Sequence, residues 1–166
     1  MPSKSTVFKS DLHQRYWSYI DTYHPEWDHL LDRRHPPEKG PVVFRPVFAD
    51  FNVISHPQSS LEMKQRLLDY IPPYEHHKWF RSMNSSQALA QSVFGNLAIH
   101  ESLEVLSDLL DDDGSPLLSG AQLSSDYFCM ERKVSHLGEP QPTSLDVYFG
   151  GAYQVAIECK FTEATV

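Results

Sequence analysis

Three residues near the end of the chain carry the strongest chemical pattern: Asp146, Glu158 and Lys160. In SLDVYF (144–149), Leu145, Val147 and Phe149 alternate with Asp146 and Tyr148. In QVAIECKF (154–161), Val155, Ile157, Cys159 and Phe161 alternate with Ala156, Glu158 and Lys160. A period of two is that of a β-strand, so each segment turns its apolar set to one face and its charged set to the other. Gly150 and Gly151 between them signal a hairpin. A turn centred near Ala152 sets Asp146 opposite Glu158, Val147 opposite Ile157 and Phe149 opposite Val155. That register gathers every large aliphatic on one face, and a slip of one residue would mix the faces. Two carboxylates facing each other repel unless something positive lies between them. A hard divalent cation with oxygen ligands answers this, and Mg²⁺ fits, with Mn²⁺ as its substitute. The carbonyl of Cys159 is a further candidate ligand. Lys160 points into the same space, where an ammonium can orient an attacking water or stabilise charge building on a phosphoryl group.

The elements that must position this hairpin are legible upstream. YFCMERKV (127–134) reads as a strand neighbouring the hairpin, and its Glu131 is a candidate third metal ligand. Ser85 or Ser86 can cap a helix in which Leu89, Val93 and Leu97 recur every four residues as an expected apolar face. Gln87 stands at the start of that helix, a candidate for holding a ligand water or a phosphate. Gly95 either weakens the helix or lets something pack close. A second helix is expected from His100 to Leu110, with Leu103, Leu106 and Leu110 on one side, ended by DDDG. Earlier still, a helix is expected from Ser59 or Ser60 with Leu61, Leu67 and Leu68 inward, stopped by Pro72-Pro73. The run VVFRPVFADFNVI is interrupted by Pro46, and short helices before it are broken by Pro25 and Pro36-Pro37. The expected organisation is an N-terminal helical or irregular extension over 1–84 and a core over 85–166, together one compact unit.

Length and composition bound the rest. The 166 residues suffice for one domain with a real core, and 40% hydrophobic with 22% charged residues is ordinary globular composition. No apolar run reaches the ~18–20 residues of a transmembrane helix, and the N-terminus lacks the apolar stretch of a signal peptide. Two cysteines are too few for a disulfide framework, which points to a reducing cytoplasm. The net charge of −8 weighs against a nucleic-acid partner. However, Asp111, Asp112 and Asp113 are clumped in one turn, and a bound cation would neutralise an acidic site. The nine histidines show no i, i+4 pair of the helical zinc type; His24 and His29 are five apart and His76-His77 adjacent.

An Asp, a short hairpin and then Glu-x-Lys, following a helix and a strand, resembles the PD-(D/E)XK nuclease superfamily. Asp146 matches its metal-binding Asp, and Glu158 and Lys160 its Glu-x-Lys; Leu145 replaces the usual Pro. HKWFRSMNSSQALAQSVFGNL (77–97), YFCMERKVSHLGEPQPTSLDVYF and IECKFTE together resemble a bacterial group of restriction endonuclease-like proteins, across roughly 74–164. The resemblance implies an α/β fold with a restriction-endonuclease-like core: a helix followed by a three-stranded β-meander within a mixed sheet. It also implies DNA as partner, hydrolysis of phosphodiester bonds, and a setting in genome defence or repair. The superfamily core continues with a helix and a fourth strand. This sequence stops six residues past Lys160, so the core is expected to be incomplete at its C-terminus, or completed by the N-terminal half or by a partner chain. A homodimer would serve the cutting of both strands.

Plainer readings compete at each position. A lone Asp at a strand edge is more often there for solubility, and Glu-x-Lys is common on solvated faces; only their combination through the hairpin outweighs this. Glu131 within MERK fits a solvated strand face, and Gln87 an ordinary helix residue. His77 and Trp79 fit packing residues for the helix that follows. Two rival functions remain: a nuclease-like fold that binds nucleic acid or protein without cutting, and an interaction domain in which the carboxylate pair is coincidence.

Overall fold

The structure is a computed structural model that describes residues 4–32, 40–118, 123, 127–135, 143–150 and 154–160. The chain divides into two compact units that interleave along the sequence. One comprises Met1–Val53, His77–Leu89 and Lys160–Val166, the other Ile54–His76 and Ala90–Cys159. Among the described residues no helix is long and apolar enough to cross a membrane.

In the first unit the expected helices broken at Pro25 are α1 (Lys4–Tyr23) and a 3-10 turn, Pro25–Leu30; α1 is the longer. It stops ahead of Pro25 because a residue preceding proline is driven out of helical geometry, and His24 is accordingly non-helical. Trp17 and Ile20, one turn apart, are its buried face and pack with Leu30, Leu31, Val42 and Phe44. The indole of Trp17 donates to the Gly40 carbonyl at 3.1 Å. The VVF segment makes isolated bridges, Leu31 with Phe44 and Val43 with Ser82. Pro46 then opens a 3-10 turn, Pro46–Asn52, since its fixed φ suits a first helical position. Asn52 Nδ2 ties this turn to the carbonyls of Phe80 and Ser82, at 2.6 and 2.7 Å.

In the second unit α2 (Leu61–Asp69) starts where the sequence places it, and there Ser60 Oγ accepts from the Met63 amide at 3.2 Å as an N-cap. Of its three expected inward residues Leu67 is buried and Leu68 half-buried, but Leu61 is exposed. The helical run that begins at Ser86 consists of α3 (Ser86–Ala90), a π turn (Gln91–Gly95) and α4 (Asn96–Ile99). Of the expected Leu89/Val93/Leu97 face only Leu97 packs against the core; Leu89 and Val93 are exposed, and Gln87, Ala88, Gln91, Ser92, Gly95 and Ala98 are inside. The two buried amides explain the inversion, because each satisfies main chain that would otherwise be left unpaired. Gln91 Nε2 donates to the Leu67 and Leu68 carbonyls near the end of α2, at 2.8 and 3.2 Å, while Gln87 Oε1 accepts from the His77 amide at 2.8 Å.

Gly95 does let something pack close. A Cβ built on it would stand 2.5 Å from Leu67 Cδ1. Leu67 is buried, so relief requires a shift of the core rather than of a free side chain. Gly95→Ala is expected to destabilise by about 1–3 kcal/mol despite alanine's better helix propensity. In thermal melts this reads as a fall of roughly 2–10 °C for a chain of this size, and an unchanged or raised midpoint would refute the close packing.

The second expected helix is a 3-10 segment, Leu103–Asp108. Leu103 and Leu106 reach the core, but Leu110 is exposed and bridges to Pro116. The DDDG turn is solvated: Asp111 Oδ1 accepts from the amides of Asp113 and Ser115, and Gly114 takes φ +77°.

The three strands form the expected meander: β1 (Cys129–Val134), β2 (Thr143–Gly150) and β3 (Gln154–Ile157) in that spatial order, all pairs antiparallel. A parallel strand that would make the sheet mixed is not among the described residues. Met130, Val147 and Phe149 face Ile71, Ala90, Ala98 and Leu103 to make the core, with Val155, Ile157 and Cys159 packed against it. The expected turn residues 151–153, the Pro36-Pro37 break and the segment from Phe161 onward lie outside the described residues.

Candidate active site

The hairpin register is the one the alternation calls for. Val147 pairs with Ile157, Tyr148 with Ala156, and Phe149 with Val155. Strand assignment ends at Ile157, but exposure keeps alternating from Gln154 to Lys160, with Glu158 and Lys160 on the exposed phase. Continued by one rung, the register sets Glu158 across from Asp146. The Cys159 amide donates to Asp146 Oδ2 at 2.5 Å, a short charge-assisted bond that ties the chain after β3 to β2 at this rung.

On the other side of β2 the register is constant through an unusual residue. Met130 pairs with Val147 and Arg132 with Leu145, so the rung between them belongs to Glu131 and Asp146. Glu131 has φ +52°, a left-handed conformation that costs a non-glycine residue of order 1–3 kcal/mol and persists only where the surroundings enforce it. Its effect is visible in burial along β1: Met130 and Glu131 are both inside, and Arg132 and Lys133 both outside. Glu131 Oε2 accepts from Ser144 Oγ at 2.7 Å, and Ser144 shares the Asp146 face of β2 by alternation. Asp146 and Glu131 are each 8% exposed. Two buried carboxylates at one rung are costly unless positive charge or hydrogen bonds compensate them.

Basic groups border this row. The Arg132 guanidinium lies 3.7 Å from the centre of the Tyr148 ring, and Tyr148 is two residues from Asp146 on the same face. Lys133 Nζ is 4.0 Å from Glu75 Oε1. Gln87 belongs to the other compact unit, with its amide engaged at His77. Lys160 is exposed. Sequence reasoning missed Ser144 and Arg132. Ser144 was within reach of the same alternation that singled out Asp146, whereas nothing in MERK distinguishes Arg132 from Lys133.

Among the described residues no three His, Cys, Asp or Glu side chains are already grouped to hold a metal ion. The donor chemistry nonetheless suits one: buried hard carboxylate oxygens at Asp146 and Glu131, with the Glu158 carboxylate and the Cys159 carbonyl next along the hairpin.

The strained backbone at Glu131 gives a direct test. Glu131→Gly can adopt φ +52° freely, so it is expected to keep the fold while removing the carboxylate. Glu131→Gln keeps the shape and an acceptor for Ser144. If the strain serves to aim a ligand, both variants fold, and both weaken metal-dependent stabilisation about 10- to 100-fold in the metal concentration required. Metal titrations followed by thermal melting decide it, and wild-type behaviour from Glu131→Gly would leave the carboxylate without a role.

A family model described as Restriction Endonuclease associating with ARP matches residues 36–166 of the chain. No curated protein and no solved structure matches it.

Proposed function

The chain belongs to the family Restriction Endonuclease associating with ARP, and we propose from this that it is a DNA endonuclease of the PD-(D/E)XK type that hydrolyses phosphodiester bonds with Mg²⁺. The observation that carries the reading is the row of carboxylates across the sheet, Glu131 on β1 with its left-handed backbone, Asp146 on β2 at the centre, and Glu158 one residue past the end of β3.

Asp146 and Glu158, with Glu131, would hold the metal ion, and Mn²⁺ would serve in place of Mg²⁺. The ion supplies Lewis acidity toward the phosphoryl oxygens and a lowered pKa for a bound water. The chain's own residues do the remainder. The Cys159 amide fixes the Asp146 carboxylate, and Ser144 fixes that of Glu131. Lys160 orients the attacking water or stabilises charge on the phosphoryl group. Arg132 and Lys133, exposed beside the site, meet the phosphate backbone in a protein whose total charge of −8 would otherwise repel it. Genome defence or repair is the setting, in the cytoplasm, and a second copy of the chain would supply the second active site that a double-strand cut requires.

Incubation with supercoiled plasmid in Mg²⁺, Mn²⁺ or EDTA tests the proposal. Metal-dependent nicking or linearisation supports it. The second reading, a nuclease-like module that binds without cutting, is favoured by the lack of a preassembled three-ligand group among the described residues. It predicts DNA or metal binding by a folded chain that leaves the plasmid intact.

A further inference from the structure

The first compact unit contains a cavity of about 390 Å³ whose lining differs in charge from the protein as a whole. The chain carries 22 acidic against 14 basic residues, yet among the described residues no carboxylate lines the cavity, whose lining includes Lys9, His13, Trp79, Asn84, Ser85 and Ser86. Its size lies in the ~300–1,000 Å³ range of small-molecule sites. The lining combines three chemistries. Lys9 supplies a cation, and a second, Lys78, sits 5.4 Å from the Trp79 ring centre. Trp79 is 49% exposed, an aromatic surface of the kind on which bases stack. Asn84 and His13 form a polar pair, Asn84 Nδ2 donating to His13 Nε2 at 2.6 Å. That bond requires a neutral imidazole carrying its proton on Nδ1. Burial and the neighbouring Lys9 charge both push the His13 pKa down, in agreement. The pair therefore offers hydrogen-bonding edges rather than charge, and the far end of the Asn84 amide, Oδ1, is buried without a hydrogen-bond partner among the described residues.

We propose that this cavity is a binding site for a nucleoside 5′-phosphate, its base on Trp79, its polar edge at the Asn84–His13 pair and its phosphate toward Lys9. The ligand is either an unstacked nucleotide of a DNA strand or a free nucleotide, since both present the same chemistry. The site is independent of the carboxylate row, and its test needs no cleavage.

Calorimetric titration of the full chain in EDTA compares the four deoxynucleoside 5′-monophosphates, 2-deoxyribose 5-phosphate, inorganic phosphate, a single-stranded decamer and its duplex. At least one mononucleotide or the single strand is expected to bind saturably, about tenfold or more tighter than deoxyribose 5-phosphate. Trp79→Leu, at a half-exposed position, is expected to weaken that binding about tenfold, and Lys9→Ala to weaken it several-fold, with circular dichroism unchanged. Tighter binding of the decamer assigns the site to DNA, and tighter binding of a mononucleotide assigns it to a free ligand. The proposal is overturned if neither a mononucleotide nor the single strand binds the folded chain. It is equally overturned if deoxyribose 5-phosphate binds as tightly as they do, or if Trp79→Leu changes nothing. Because EDTA and the choice of probes remove catalysis, inactivity toward plasmid does not bear on this result.

Discussion

Asp146→Asn is expected to lower metal-dependent DNA cleavage by about a thousandfold or more, the scale on which a charged group at a metal-assisted phosphoryl site acts. Asparagine is the informative substitution. Its carbonyl oxygen can still accept the Cys159 amide that now bonds Asp146 Oδ2, so the tie between β2 and the chain after β3 survives. Alanine would remove that acceptor and leave a half-buried N–H unpaired, confusing a folding defect with a catalytic one. A second signature separates catalysis from stability. Asp146 and Glu131 are both buried at one rung, each held by a hydrogen bond in the metal-free chain. Asparagine, which keeps the hydrogen bond, is expected to leave the melting temperature of the metal-free chain close to that of the wild type while abolishing the stabilisation that Mg²⁺ gives the wild type. Unimpaired cleavage by a folded Asp146→Asn chain would remove Asp146 from the site altogether.

Lys160→Ala is expected to slow cleavage about 100- to 1,000-fold and to leave metal-induced stabilisation where it was. Lys160 is exposed, and substitution of an exposed side chain normally changes stability by no more than about 0.5 kcal/mol. Its proposed work is on the water or on the charge developing in the transition state, so its loss belongs in the rate constant rather than in metal or DNA affinity. Lys160→Arg retains the charge but changes its hydration and geometry, and partial activity is expected. Single-turnover cleavage at saturating Mg²⁺, beside DNA binding measured in Ca²⁺, separates the two effects. A Lys160→Ala chain whose only defect is weaker DNA binding would reassign Lys160 to phosphate contact.

What the sequence could and could not determine follows from the range of the interactions concerned. The hairpin was readable because two-residue alternation and a Gly-Gly turn are local, and the register that gathers Val147, Ile157, Phe149 and Val155 on one face is the one observed. The start of α2 at Ser60 was readable for the same reason, since a helix start depends on residue type within a turn; at Gly95 the sequence left a weakened helix and close packing both open, and the distant Leu67 decided it. The helical run from Ser86 was misread as to its face. Four-residue spacing of Leu89, Val93 and Leu97 looks amphipathic, but the π turn and the distant carbonyls of Leu67 and Leu68 drew Gln91 inside and left Leu89 and Val93 exposed. Nothing local in MERK marks Glu131 for a left-handed backbone, since that conformation is imposed by paired neighbours on both sides of it. The Trp79 cavity, free of carboxylates among the described residues, likewise joins residues from positions 9 to 86. Alternation and turn chemistry thus determined the hairpin and the row on which Asp146 and Glu158 stand. Tertiary packing alone decided which helix face is buried, how Glu131 is held, and which distant polar groups share a cavity, because a buried polar group takes its partner from wherever the chain brings one within hydrogen-bond reach.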